Sequence, residues 1–134
     1  MVEAPAEPDF EPEAAAYELV LVDDVASFAV PAIVAQTSEN AAEHFLEFFA
    51  ATIRNPNTRL AYMRAVRSFL EWRGVVGMAS LREIRPLHVA AYIEECADLV
   101  SAPTVKQRLA ALRSLFDWLV RTGVVEHNPA HAVR

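Results

Sequence analysis

The chain reads as an all-α protein, and three observations carry that reading. Hydrophobic residues make up 54 % of the 134 positions and only three are glycine, a balance that suits a helical globule better than a loop-rich one. Through Thr104–Val120, apolar residues recur at spacings of three and four, so Val105, Leu109, Leu112, Phe116 and Leu119 fall on one helical stripe. Thr58–Arg73 repeats the pattern with Tyr62, Ala65, Val66, Phe69 and Leu70.

Taken in order, residues 1–16 are rich in Pro, Glu and Ala, a composition that predicts disorder. Tyr17–Val22 leans to β structure but is short, and Asp23-Asp24 ends it. Residues 25–36 are apolar and interrupted by Pro31. They are compatible with a docking segment, an irregular wrap over the domain, or a short helix broken at the proline. A boundary at 37/38 therefore separates an acidic leader from a helical domain.

The first domain helix is expected near 39–52, with Asn40 and Glu43 in a capping arrangement and Phe45, Phe48 and Phe49 facing the core. Asn55-Pro56-Asn57 is a break, with Asn57 as the cap of a second helix over 58–73 and Gly74 closing it in the left-handed conformation. Leu81 and Ile84 tuck into the core from a connector. Pro86 opens a third helix over 86–97, with Val89, Tyr92, Ile93 and Cys96 inward and Glu94 and Glu95 exposed. Ser101-Ala102-Pro103 starts the fourth, over 103–122, which Gly123 ends. Residues 127–134 trail away. One core is expected to gather Phe49, Tyr62, Val66, Phe69, Ile93, Leu109, Leu112 and Phe116.

The net charge of −6 taken whole speaks against nucleic acid, but its distribution reverses that. Residues 1–53 hold 11 of the 18 acidic residues and none of the 12 basic ones, which leaves 12 basic against 7 acidic, a net of +5, in 54–134. Opposite signs in leader and domain point to a polyanion partner. The second and fourth helices supply a matching surface. Arg64 and Arg67 lie opposite the apolar stripe of one, with Arg59 near its start; Lys106 and Arg113 lie opposite the stripe of the other, beside Ala110 and Ser114. Each helix carries a Thr in its first turn, and small residues let a phosphate chain approach the cations closely. The bland alternative for each residue is a solvated surface group.

Other chemistry finds little support. His127 and His131 are four apart, but Asn128-Pro129 between them argues against one helix, and no third ligand is in view, so no metal is expected. Glu94 and Glu95 point about 100° apart on a helix, which does not suit a paired-carboxylate site. There is no Gly-rich phosphate loop, no G-x-S-x-G and no Cys/His pairing, so no cofactor is expected. A single cysteine, Cys96, excludes an internal disulfide and suits a cytoplasmic setting. No apolar run of about 18 residues exists to span a membrane, and the acidic start is not a secretory signal.

The ordered series T-x3-Y-x3-V-x2-F-L from Thr58, a helix opening at Pro86, T-V-x2-R-L-x2-L-x3-F-x2-L from Thr104, and G-V-V-x2-N-P from Gly123 resembles the core-binding domain of the tyrosine recombinases, or phage integrases. The resemblance covers roughly Glu39 to Arg134. It implies a small four-helix, SAM-like orthogonal bundle over 38–134 that clamps one side of a DNA duplex; the acidic, mostly disordered leader 1–37 is read from composition alone. It implies that the second and fourth helices cross the major groove while their first turns meet phosphates. That places Thr58, Arg64 and Arg67 against DNA in one helix and Thr104, Lys106, Gln107 and Arg108 in the other, with Arg59 and Arg113 added from their helical positions. In that family the nucleophilic tyrosine and its activating residues belong to a downstream domain. None of Tyr17, Tyr62 and Tyr92 sits in that context, so the chain is not expected to be an enzyme by itself. The implied partners are double-stranded DNA, a downstream catalytic domain and other recombinase protomers, in DNA integration or recombination. The rival reading is a helical protein–protein interaction module with an acidic docking leader, which exposed aromatics would favour.

Overall fold

The computed structural model describes residues 28–134, which form five α-helices and one 3-10 turn with no strand among them. The helices are α1 (Ala32–Ala35), α2 (Ala41–Ala51), α3 (Pro56–Leu70), α4 (Pro86–Leu99) and α5 (Ala102–Arg121), and the 3-10 turn is Leu81–Glu83. The four expected helices are α2 to α5. The expectations for residues 1–27 lie outside the described residues.

Helix α5 is the centre of the bundle, packed against α2, α3 and α4. Leu109, Ala111, Leu112, Leu115, Phe116 and Leu119 are all buried on it, a broader face than the single expected stripe. Helix α2 contributes Phe45, Phe48 and Phe49, whose rings meet edge to face at 5.0–5.3 Å. Helix α3 contributes Met63, Val66, Phe69 and Leu70, and α4 contributes Val89, Tyr92, Ile93 and Cys96. Of the expected core residues only Tyr62 departs, being half-buried at the margin. Leu81 and Ile84 enter the core from the connector, as the sequence implies.

The helix ends follow local chemistry, with three departures. Asn55, not Asn57, caps α3: its Oδ1 accepts from the backbone N–H groups of Asn57 and Thr58 at 2.9 and 3.0 Å, and Pro56 takes the first helical position. Asn40 precedes α2 but makes no side-chain cap. Helix α3 stops at Leu70, and Gly74 is not in the left-handed region; among the described residues only Gly77 and Gly123 have positive φ. At Gly74 an added Cβ would collide with the Trp72 ring. Gly123, at φ 82°, does close α5. The N–H of Val124 reaches the Leu119 carbonyl at 2.8 Å and that of Gly123 reaches Val120 at 3.1 Å, which is the Schellman arrangement.

Both flanks of the bundle are more ordered than their sequences suggest. Residues 28–37 are packed structure, so the 37/38 boundary cuts through the core. Phe28, Ile33, Val34 and Thr37 are buried, and Phe28 stacks on Phe45 and meets Phe49 edge-on. Thr37 donates to the Ile33 carbonyl and accepts from the Leu81 N–H, both at 2.7 Å, tying this arm to the 3-10 turn. The segment after α5 does not trail away either. Val124, Val125, Ala130 and Val133 are buried, and the side-chain amide of Asn128 donates to the Arg113 carbonyl at 3.1 Å and to Asp117 at 2.8 Å.

Both tryptophans are pinned. Trp118 Nε1 donates to the His44 carbonyl at 2.8 Å, joining α5 to α2. Trp72 Nε1 donates to Glu95 at 3.0 Å, and Arg73 shares that carboxylate at 3.1 Å, so Glu95 is half-buried rather than exposed.

Candidate nucleic-acid interface

The two helices expected to meet DNA, α3 and α5, pack directly against each other. Their outer residues sort into three groups according to what already holds each side chain.

Arg64, Lys106 and Gln107 are exposed and make no side-chain hydrogen bond or ion pair within the described residues. Arg64 has its nearest cationic neighbour on the helix in Arg67, one turn on. Arg54, exposed just ahead of the Asn55 cap, belongs with this group although it lies outside both helices and so off any helical stripe. Its signal was available, because it is the first basic residue after the acidic stretch.

Thr58, Thr104, Arg67 and Arg108 are half-buried, and the last three have side chains already engaged. The backbone N–H of Thr58 is taken by Asn55, and the Thr104 hydroxyl lies 2.9 Å from that of Ser101, whose Oγ also accepts from the Thr104 N–H at 3.4 Å. Both first turns are thus partly satisfied by their own caps, which leaves fewer free donors for phosphate than an uncapped helix would offer. The Arg67 guanidinium sits 4.6 Å over the Phe28 ring. Arg108 points toward α4, where Nη1 reaches the Cys96 sulfur at 3.3 Å and the Tyr92 hydroxyl at 3.4 Å. Partial burial works against its charge, but the contacts to Cys96 and Tyr92 outweigh that and raise its pKa, so it stays a cation. Burial pushes the Tyr92 hydroxyl up, and its 2.7 Å hydrogen bond with Ser68 pulls the other way. Ser68, Tyr92 and Arg108 thereby link α3, α4 and α5.

Arg59 and Arg113 have structural partners instead. Arg59 is 6 % exposed. Its Nε donates to the Phe49 carbonyl at 2.7 Å and its Nη2 to that of Ile53, so it clamps the C-terminal end of α2 and cannot present its charge to a duplex. Its Nη1 is buried with no partner among the described residues. Arg113 donates from Nε to the Ala130 carbonyl at 3.2 Å and from Nη2 to that of Val133, holding the tail against α5. Arg113 is expected on the outer face of its helix and Arg59 near the start of its own, both against DNA, and neither presents its guanidinium there. Carbonyls remote in sequence, from a helix end and from the tail, draw them in.

Replacing Arg59 by alanine strands two carbonyls and opens a void. A loss of about 2–3 kcal/mol in urea unfolding is expected, with Arg59→Lys recovering only part because an ammonium lacks the forked geometry.

Among the described residues, no group of three or more His, Cys, Asp or Glu side chains is placed to hold a metal ion, and no helix is long and apolar enough to cross a membrane.

Residues 42–123 match the family model described as phage integrase, N-terminal SAM-like domain. Over 83 residues the chain is 36 % identical to the tyrosine recombinase XerC of Serratia marcescens, an overlap covering 60 % of this chain and 27 % of that protein. The chain thus spans about a quarter of the length of that relative. No solved structure matches it.

Proposed function

The chain belongs to the phage integrase N-terminal SAM-like domain family, and from that premise we propose that it is the DNA-holding module of a site-specific tyrosine recombinase. In this reading the outer faces of α3 and α5 grip one side of a duplex during integration or recombination. The cleavage chemistry belongs to a different domain. The observation that carries the reading is the pairing of unengaged cations with this fold: Arg64 on α3 and Lys106 on α5 are exposed, without partners among the described residues, on two helices that pack together. Gln107, also exposed, is a donor and acceptor suited to a base edge, while Thr58 and Thr104 are suited to phosphates. Arg67 and Arg108 join the contact by leaving Phe28 and the Tyr92–Cys96 crevice. Arg59 and Arg113 act behind the surface, holding α2 and the tail in place.

A titration of a fluorescent duplex with the full chain tests this. Binding at about 10⁻⁴–10⁻⁶ M near physiological salt is expected, the range that phosphate contacts alone supply. Incubation followed by denaturing electrophoresis should show no covalent DNA adduct, because Tyr62 and Tyr92 lie at helix packing surfaces and the Tyr92 hydroxyl is held there by Ser68 and Arg108. Binding absent even at low salt would turn attention to α4. There Leu87 and Leu99 are 76 % and 75 % exposed, the feature that favours the protein-interaction reading.

A further inference from the structure

We propose that the outer face of α4 is a docking groove for an amphipathic helix flanked by lysine or arginine, so that the chain holds a protein partner there. Such a surface stands whether or not α3 and α5 hold DNA. Helix α4 is apolar on nearly every side. Val89, Tyr92, Ile93 and Cys96 face the core, while Leu87, Ala90, Ala91 and Ala97 are exposed. A helix that is apolar all round is normally covered on each face. Here Leu87 is 76 % exposed. With Ala90 and Ala97 it lines an open groove of about 760 Å³, shared with Val105 of α5 and with Ala132 and Val133 of the tail.

Charge selects the occupant. The charged side chains of α4 are all carboxylates. Glu95 is taken by Trp72 and Arg73. Glu94, which lines the groove, and Asp98, one turn further on, have no cation partner among the described residues. Carboxylates one turn apart on a helix repel each other, and a cation between them relieves the repulsion. The tail side of the groove carries Arg134 instead, so the cations of an occupant belong along α4. Geometry selects a helix. No strand stands among the described residues, so there is no sheet edge to extend, and the helix-in-groove mode fits. Ala90 and Ala97, two turns apart, are small enough to let a second helix approach to about 8–10 Å between axes. Leu87 to Ala97 spans about 15 Å, or about three helical turns. The occupant is thus a helix of about three turns, with an apolar stripe for the groove and Lys or Arg facing Glu94 and Asp98.

Two synthetic helical peptides test this. Both carry the same leucine stripe; one is flanked by Lys, the other by Glu. Each is titrated against the full chain at about 50 mM salt, where exposed charges still act over several ångströms. The backbone amide resonances of Leu87, Ala90 and Ala97 report binding. The Lys-flanked peptide should shift these three, and the Glu-flanked peptide should bind at least about tenfold more weakly. Leu87→Ser should weaken the Lys-flanked peptide by about tenfold with the melting temperature held, because Leu87 packs little in the free chain. Glu94→Gln with Asp98→Asn should bring the two peptides to within about twofold of each other. Three results would overturn the assignment. The Lys-flanked peptide leaves these amides unmoved or shifts a different face. The preference for it survives the double amide variant. The chain alone self-associates and Leu87→Ser abolishes that, which gives the groove to a second copy.

Discussion

Truncating Leu112 to alanine should cost about 2–5 kcal/mol in urea or thermal unfolding, the range for buried leucines whose cavities only partly collapse. Leu112 has no exposed surface and sits mid-way along α5, the helix that α2, α3 and α4 all pack against. No single neighbour can move in to fill the void without leaving another contact, which places the expected loss toward the upper part of that range. A loss below about 1 kcal/mol would mean that α5 is not the centre of the core. The comparison position is Val120 on the same helix. It is 37 % exposed, so Val120→Ala should cost well under 1 kcal/mol.

Reversing Arg64 and Lys106 together to glutamate should weaken duplex binding by about a hundredfold at low salt and reduce the salt dependence by about two phosphate contacts. The melting temperature should hold, because neither side chain has a partner among the described residues to lose. Arg113→Glu is the contrasting case. Reversal there abandons the Ala130 and Val133 carbonyls and frees the tail, so it should lower the melting temperature whatever it does to DNA. A Lys106–Arg113 pair, which helical position alone would favour, mixes these two effects. The Arg64–Lys106 pair separates them. Unchanged affinity in the Arg64–Lys106 variant would remove α3 and α5 from the proposed interface.

The parts of this fold legible in the sequence are those set by local spacing. The four long helices, their Phe- and Leu-rich inner faces, the proline starts at Pro86 and Pro103 and the glycine stop at Gly123 follow from periodicity and from backbone chemistry acting within a few residues. The α3 cap is the exception: the break at 55–57 suggests Asn57, but proline takes the first helical position and shifts the cap to Asn55. A one-stripe wheel under-reads α5 because the helix is covered on several sides, which buries Ala111 and Leu115 along with the stripe.

The candidate site was legible only as an inventory of cations. Which of them are free depends on contacts distant in sequence. Arg59 meets the end of α2, Arg67 meets Phe28, Arg108 crosses to Cys96, and Arg113 meets the tail. None of these partners lies within a helical turn of its arginine, so no pattern along one helix could reveal them. The same holds for the arm and the tail. Their burial rests on long-range bonds from Thr37 and Asn128, residues that in sequence look like ordinary loop polar groups.

The measurement that bears most directly on the central claim is the slope of log Kobs against log salt for the wild-type chain on a short duplex, between about 50 and 300 mM. Neutralisation of four to five phosphates by Arg64, Lys106 and the cations that join them predicts a slope of about −4 with detectable binding at the low-salt end. No binding at 50 mM, or a slope near zero, would contradict the account.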